Sequence, residues 1–256
     1  MMRALLAPVL LVWSVYAADA QPAFEAASVK TVDPSVALAP GVFTGVQLLP
    51  SGRLLALRVT VFQLLQTIYD VKAFQISGGP AWLKSQWYEI QATAGAPASE
   101  EQIKLMAQAL LADRFQLRLH RETRQIPVYA LIPGKSGPKM QTAKDPTQCG
   151  GNGCFGVGNG NLSASGATMA FFAGEVLTRL LDRPALDKTG LSGNHYDFKL
   201  TYDQSSIKPP IAGMQMTPTE GPSIFAAVED LGLKLNPEKD PIEFLVIDSV
   251  EHPGAN

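Results

Sequence analysis

Apolar residues recur at helical spacing in four stretches of the chain. After Thr60, residues Val61, Leu64, Leu65 and Ile68 fall at i, i+3, i+4 and i+7, which predicts an amphipathic helix with Thr60 as its N-cap. Thr168 stands in the same way before Met169, Phe172, Val176 and Leu180. Ser99 and Gln102 form a capping-box pattern ahead of Ile103, Met106, Leu110 and Leu111. Ser223 opens the fourth stretch with Ile224, Ala227, Val228 and Leu231, and Gly232 suits the left-handed position that ends a helix. Other stretches alternate or run wholly apolar. Residues 116–119 and 234–235 predict half-buried strands, and residues 128–132 and 244–247 predict fully buried ones. Residues 46–49 and 54–57 flank Pro50, Ser51 and Gly52, a hairpin signal.

These elements come twice. At an offset of 108, Gly52 lies over Gly160, Leu54 over Leu162, Ala56 over Ala164, Thr60 over Thr168 and Tyr88 over Tyr196. Further on the offset is 116, with residues 115–119 over 231–235, Glu122 over Glu238 and Ile126 over Ile242. The expected fold is therefore α+β: a tandem duplication of a β-α-β(β)-α-β-β unit, with helices packed on a mixed or antiparallel sheet. The expected division is a first unit over 21–133, a glycine-rich linker over 134–159 and a second unit over 160–256. Prolines 209, 210, 218 and 222 mark 202–222 as a loop inside the second unit.

Composition narrows the class. Of 256 residues, 46% are hydrophobic and 17% charged, too apolar for a disordered chain and enough for a sizeable core. Net charge is −2, with a pI near 5.9, so there is no basic footprint and no nucleic-acid partner is expected. Residues 1–20 read as an export signal: a positive start ending at Arg3, an apolar run over 4–17, and Ala18-Asp19-Ala20 before a cut at Gln21. The expected location is periplasmic or secreted, with no membrane span after cleavage. In such a compartment Cys149 and Cys154 are expected to close a small local disulfide, worth about 2 kcal/mol in the chain-entropy model.

No short pattern discloses a reaction. The match to G-x-G-x-x-G at 151–156 lies in a cysteine-bearing glycine loop, not between a strand and a helix N-terminus. Gly134-Lys135-Ser136 lacks the leading glycine of a phosphate loop, because Tyr129 stands there. Two S-x-x-K matches, at 136–139 and 205–208, sit beside glycine and proline that deny the helical turn such chemistry needs. His120, His195 and His252 form no H-E-x-x-H and lie away from the cysteines. His120 alternates with Leu117 and Leu119 and should face solvent. Glu89 and Asp197 hold equivalent places and read as a solvated strand face. No catalytic residue, metal ligand or cofactor is expected.

Several blocks resemble one family: residues 74–83, 110–115, 120–123, 127–131, 187–193, 196–198 and 246–248. It is a large paralogous set of exported proteins from soil bacteria, chiefly Acidobacteria, known as a domain of unknown function, and the resemblance runs from about Phe24 to Pro253. Related domains occur on membrane sensor proteins of the BlaR metallopeptidase type. The resemblance implies no active site, and without H-E-x-x-H no peptidase activity. The repeats are more loosely similar to short N-terminal domains of secretins and TonB-dependent receptors. The functional expectation is an exported, non-catalytic binding or sensing module for a peptide or envelope protein. Trp82, Trp87 and Tyr88 and, in the turn 187–193, Lys188 are its candidate contacts. The competing expectation is an exported hydrolase with residues assembled across the two halves.

Overall fold

The computed structural model describes residues 22–33, 35, 43–146, 151–209 and 215–254. The expected export signal with its cleavage site, and Cys149 of the expected disulfide, lie outside the described residues. Among the described residues no helix is long and apolar enough to cross a membrane. The fold is α+β, with twelve strands among the described residues in three four-stranded sheets. The chain divides into two compact units.

The first unit holds the described residues up to Asp70, then Gly79–Arg118 and the residues from Asp248 onward. Its strands are β1 (Ala26–Val32), β2 (Gly45–Leu49) and β3 (Arg53–Thr60). Helix α1 (Val61–Ile68) follows at once, the chain then contributes β4 (Ile76–Gly78) to the second unit, and it returns for β5 (Trp87–Thr93) and α2 (Glu100–Arg114). The sheet is antiparallel, in the order β1-β5-β3-β2. Leu54 faces Ala92 and Val59 faces Tyr88, with a bulge between these pairs that holds Arg58 at φ 51°. Alternate residues of β3 and β5 enter the core: Leu54, Ala56, Ile90 and Ala92 are buried, as are Leu64, Leu65 and Ile68 of α1. The Thr60 capping box is present, with Gln63 N donating to Thr60 Oγ1 at 3.2 Å and Thr60 N to Gln63 Oε1 at 2.9 Å. Ser99 and Gln102 close the same box on α2.

The second unit is Val71–Gly78 with Leu119–Ile247. After β6 (Arg118–Pro133) come β7 (Gln141–Thr142), β8 (Cys154–Gly158) and β9 (Asn161–Ala167). A helix then runs as α3 (Met169–Phe171), a π-helical stretch (Phe172–Leu177) and α4 (Thr178–Leu180). The remaining elements are β10 (Ala185–Asp187), β11 (Tyr196–Thr201), α5 (Ile224–Asp230) and β12 (Leu233–Ser249). One sheet is antiparallel in the order β7-β11-β9-β8. Leu162 faces Leu200 and Ala167 faces Tyr196, with a bulge between them that holds Gly166 at φ 62°. The other sheet runs β10-β6-β12-β4. Its two long strands are antiparallel: Arg121 pairs with Glu243, and Gly134 N donates to Gly232 O at 2.8 Å. The outer strands are parallel to them, Ala185 facing Tyr129 on β6 and Ile76 facing Leu245 on β12. Leu131, Leu162, Phe172, Leu177, Ile224 and Val228 form the centre of this unit's core.

Three sequence expectations change here. The paired strands expected on either side of Pro127 and Pro241 are single long strands, β6 and β12. Proline is tolerated because the flanking strands are three residues long and reach only 129–131 and 245–247, so the missing N–H groups interrupt no outer ladder. The stretch 134–159, expected as linker loop, carries β7 and all of β8, whose glycine-rich sequence hides its strand pattern. The helix after Thr168 is not a plain α-helix. Its π-helical turn widens the i→i+4 ladder to i→i+5, which Thr178 N donating to Ala173 O closes.

Candidate functional site

An apolar hollow of the second unit is built by three neighbouring stretches. The first is the β8–β9 hairpin, closed by Asn159 at φ 49° and Gly160 at φ 72°. Both central residues are left-handed, the two-residue turn whose twist matches its strands. A side chain at Gly160 would strike Thr219 Oγ1 and Tyr202 O, so this close approach requires glycine. The second stretch is the helix after β9, started by Thr168, whose Oγ1 accepts from Phe171 N at 3.3 Å. Met169, Phe172, Ala173 and Leu177 go into the core, while Phe171, Glu175, Val176, Arg179 and Leu180 line the hollow. The third is the segment after β11, with Tyr202, Gln204, Ile207 and Lys208, joined by Met216.

The third stretch is held by backbone and hydroxyl groups. Tyr202 N donates to Gly160 O at 2.7 Å and Lys208 N to Leu180 O at 2.7 Å. Asp203 Oδ1 accepts from Ser205 N at 3.0 Å and from Thr219 N at 2.9 Å. The Ser205 hydroxyl beside it, with these two backbone N–H groups, holds the Asp203 carboxyl below the usual carboxylate range. Thr219 Oγ1 donates to Tyr202 O at 3.1 Å and accepts from Gln204 N at 3.0 Å. Segment 215–219 is thereby fastened to the end of β11.

The resulting pocket has a volume of about 410 Å³, within the range of about 300–1,000 Å³ usual for small-molecule sites. Its walls are mainly apolar, and Val157 stands half-exposed at the rim. Glu175 is its one acidic lining residue among the described residues. Lys72 reaches Glu175 Oε1 at 2.5 Å, and Arg179 lies 3.6 Å from its other oxygen. Lys208 pairs with no carboxylate among the described residues. A larger hollow of about 640 Å³ on the β7-β11-β9-β8 sheet is wide open and lined by Lys139, Gln141, Ser163, Ser165, Asp197 and Lys199 among others. Met140, Ala164, Phe198 and Leu231 also line it, so this open surface is of mixed character. Asp197 there accepts from Gly166 N at 2.8 Å and Ser165 Oγ at 3.2 Å, so this half-buried carboxylate stitches the bulge.

The sequence-based candidates are divided between the two units. Trp82 and Tyr88 share a cluster in the first unit. The His252 ring stacks on Trp82 at 4.1 Å, and its Nδ1 lies 3.3 Å from Tyr88 Oη. Tyr88 is fully buried, packs edge-on against Phe115 at 5.3 Å, and has its phenol pushed up by that burial. Trp87, the next residue along β5, points to the opposite face under the Arg58 guanidinium, 5.8 Å away. Lys188, in the second unit, pairs with Glu238 at 2.5 Å and Asp240 at 2.6 Å. His195 Nε2 lies 3.2 Å from Gly151 O, and His120 is exposed on β6. Neither His195 nor His252 bonds a serine hydroxyl or a carboxylate among the described residues. No group of three potential metal ligands occurs among the described residues.

Sequence reading missed the pocket because its residues come from three separated stretches and none is chemically unusual. One signal was present: Pro218 and Pro222 stand where the doubled pattern calls for the first turns of a helix. Compared with known proteins, residues 62–250 match the model of a family described as a protein of unknown function (DUF3738). No curated protein and no solved structure matches the chain.

Proposed function

We propose, for a chain that belongs to this DUF3738 family, an exported, non-catalytic binding module built by tandem duplication, in which the second copy holds the ligand site. The duplication is supported by geometry beyond the sequence offsets. The two antiparallel sheets have corresponding strand orders, β1-β5-β3-β2 and β7-β11-β9-β8. Leu54 facing Ala92 maps onto Leu162 facing Leu200, and Val59 facing Tyr88 onto Ala167 facing Tyr196, each at the offset of 108. The parallel pairs agree as well. Shifting Ile76 by 109 and exchanging long strands at 116 turns Ile76–Leu245 into Ala185–Tyr129. Each copy thus lends its short parallel strand to the long strand of the other. The step from 108 to 109 falls across the helix after Thr168, where a π-helical turn takes up one residue, and it is reversed before β11, where the offset is 108 again.

The observation that carries the binding role is what happens to α2. In the first unit this 15-residue helix packs against α1 and β2, with Ile103, Met106 and Ala107 buried. Its counterpart α5 has seven residues, and positions equivalent to the first half of α2 fall in 216–223, where Pro218 and Pro222 forbid a helix. The walls equivalent to β2 and α1 are β8 and the helix after Thr168, and between them lies the pocket. One copy fills this space with its own helix; the other leaves it for a ligand. Titration with octanol as an apolar probe tests the reading. It should shift the methyl resonances of Val157, Val176 and Met216, and Val157→Trp at the rim should abolish the shifts. Binding elsewhere, or none, removes the reading.

A further inference from the structure

We infer that the ligand class of this pocket is a small anionic amphiphile, an apolar body ending in one carboxylate, with Lys208 and Arg179 as the groups that hold the charged end. The inference rests on the binding role proposed above and adds the chemistry of the occupant. The apolar walls, among them Phe171, Val176, Leu180, Ile207 and Met216, reward burial of hydrocarbon or an aromatic ring. Charge around them is unbalanced. Glu175, the one acidic lining residue among the described residues, is already satisfied by Lys72, which does not line the pocket. Arg179 sits a loose 3.6 Å from the same carboxylate, with 79% of its side chain exposed. Lys208 has no carboxylate partner among the described residues. The next carboxylate along the chain, Asp203, is turned to Ser205 and Thr219 and does not line the pocket. Two cations at the mouth of an apolar space therefore face outward with one carboxylate already spoken for. A cationic ligand would meet like charge there, and a neutral one would leave both cations without gain.

Lys208 is also placed to act without rearrangement. Its backbone N–H is tied to Leu180 O at 2.7 Å, which fixes the root of the side chain at the C-terminal end of α4. Arg179 is on that last turn, where its cation also suits the negative end of the helix.

Titrations of the full chain with octanoate, octanol and octylamine, read by methyl shifts and calorimetry, separate the two levels of the claim. The expected result is octanoate binding about tenfold tighter than either analogue, as one charge-assisted contact gives. That gap should close in the double variant Lys208→Gln, Arg179→Gln. Phenylbutyrate extends the series: whichever acid binds tighter supports the class and assigns its source, alkyl or aromatic. If octanoate and octanol bind equally and Val157→Trp weakens both, the pocket stands and the anionic assignment is overturned. Preference for octylamine overturns it in favour of Glu175. If no probe shifts Val157, Val176 or Met216, the binding role itself falls.

Discussion

Arg58 and Gly166 occupy the same place in two bulges, each two residues before a threonine that caps a helix, with φ of 51° and 62°. A left-handed backbone with a side chain costs about 1 kcal/mol or more. At Arg58 that cost is offset by Nη2 donating to Asp33 O at 2.9 Å and by the Trp87 ring beneath the guanidinium. Gly166 has neither contact to gain. Gly166→Ala should therefore lower unfolding free energy by about 1 kcal/mol, read from urea midpoints. Arg58→Gly should move it far less, because strain relief and lost contacts oppose each other.

The two capping threonines differ in the same instructive way. Thr60 sits in a reciprocal box with Gln63, whereas Thr168 only accepts from Phe171 N. Both alanine substitutions should destabilise by about 0.5–2 kcal/mol. Thr60→Ala should cost the more, since it also leaves Gln63 Oε1 with one contact fewer. Thermal melts of the two variants side by side check the order.

Grafting residues 99–107 in place of 215–223 puts helical sequence directly ahead of α5. The expected outcome is added helical signal in circular dichroism and loss of octanol and octanoate binding together. A graft that gains helix yet binds as before would separate the pocket from the added turns.

Acidification should loosen the segment after β11 before the rest of the chain. The Asp203 carboxyl is held below its ordinary value by Ser205 and Thr219. Its contribution is complete above the unfolded value of about 3.9 and is lost as pH falls through the lower folded value. Amide exchange at Thr219 and Ser205 should rise over that window in the native chain and be raised already at neutral pH in Asp203→Asn.

At the C-terminal end, the His252 ring stacks on Trp82, and Glu251 N donates to Phe115 O at 2.7 Å. His252→Ala removes an aromatic pair worth about 1 kcal/mol. Exchange at the Glu251 amide should quicken about fivefold, with little change at Tyr88, whose burial comes from Phe115 and the core.

Much of the framework was legible from residues alone. Thr60, Ser99 and Ser223 each sit before an apolar stripe of period 3.6, and each caps the helix it announced. The hairpin at Pro50–Gly52 was equally plain, since Gly52 takes φ 78° between two alternating strands. What escaped had no local sign. β8 reads Cys-Phe-Gly-Val-Gly, a strand because β9 pairs with it and not because of its own propensity. Pro127 and Pro241 looked like strand breaks because proline's cost depends on whether a neighbour needs its N–H, which only the three-residue length of β4 and β10 decides. Aromatic residues drew attention to Trp82, Trp87 and Tyr88, yet neighbours on a strand face opposite ways, so a sequence cluster was not a surface. The pocket had no local sign either, since its lining comes from three separated stretches.

β4 and β10 are only three residues each, yet they decide where this chain can be cut. A break anywhere between β6 and β10 would leave each fragment with a long strand whose short flanking partner is on the other piece, and with a short strand that has nowhere to lie.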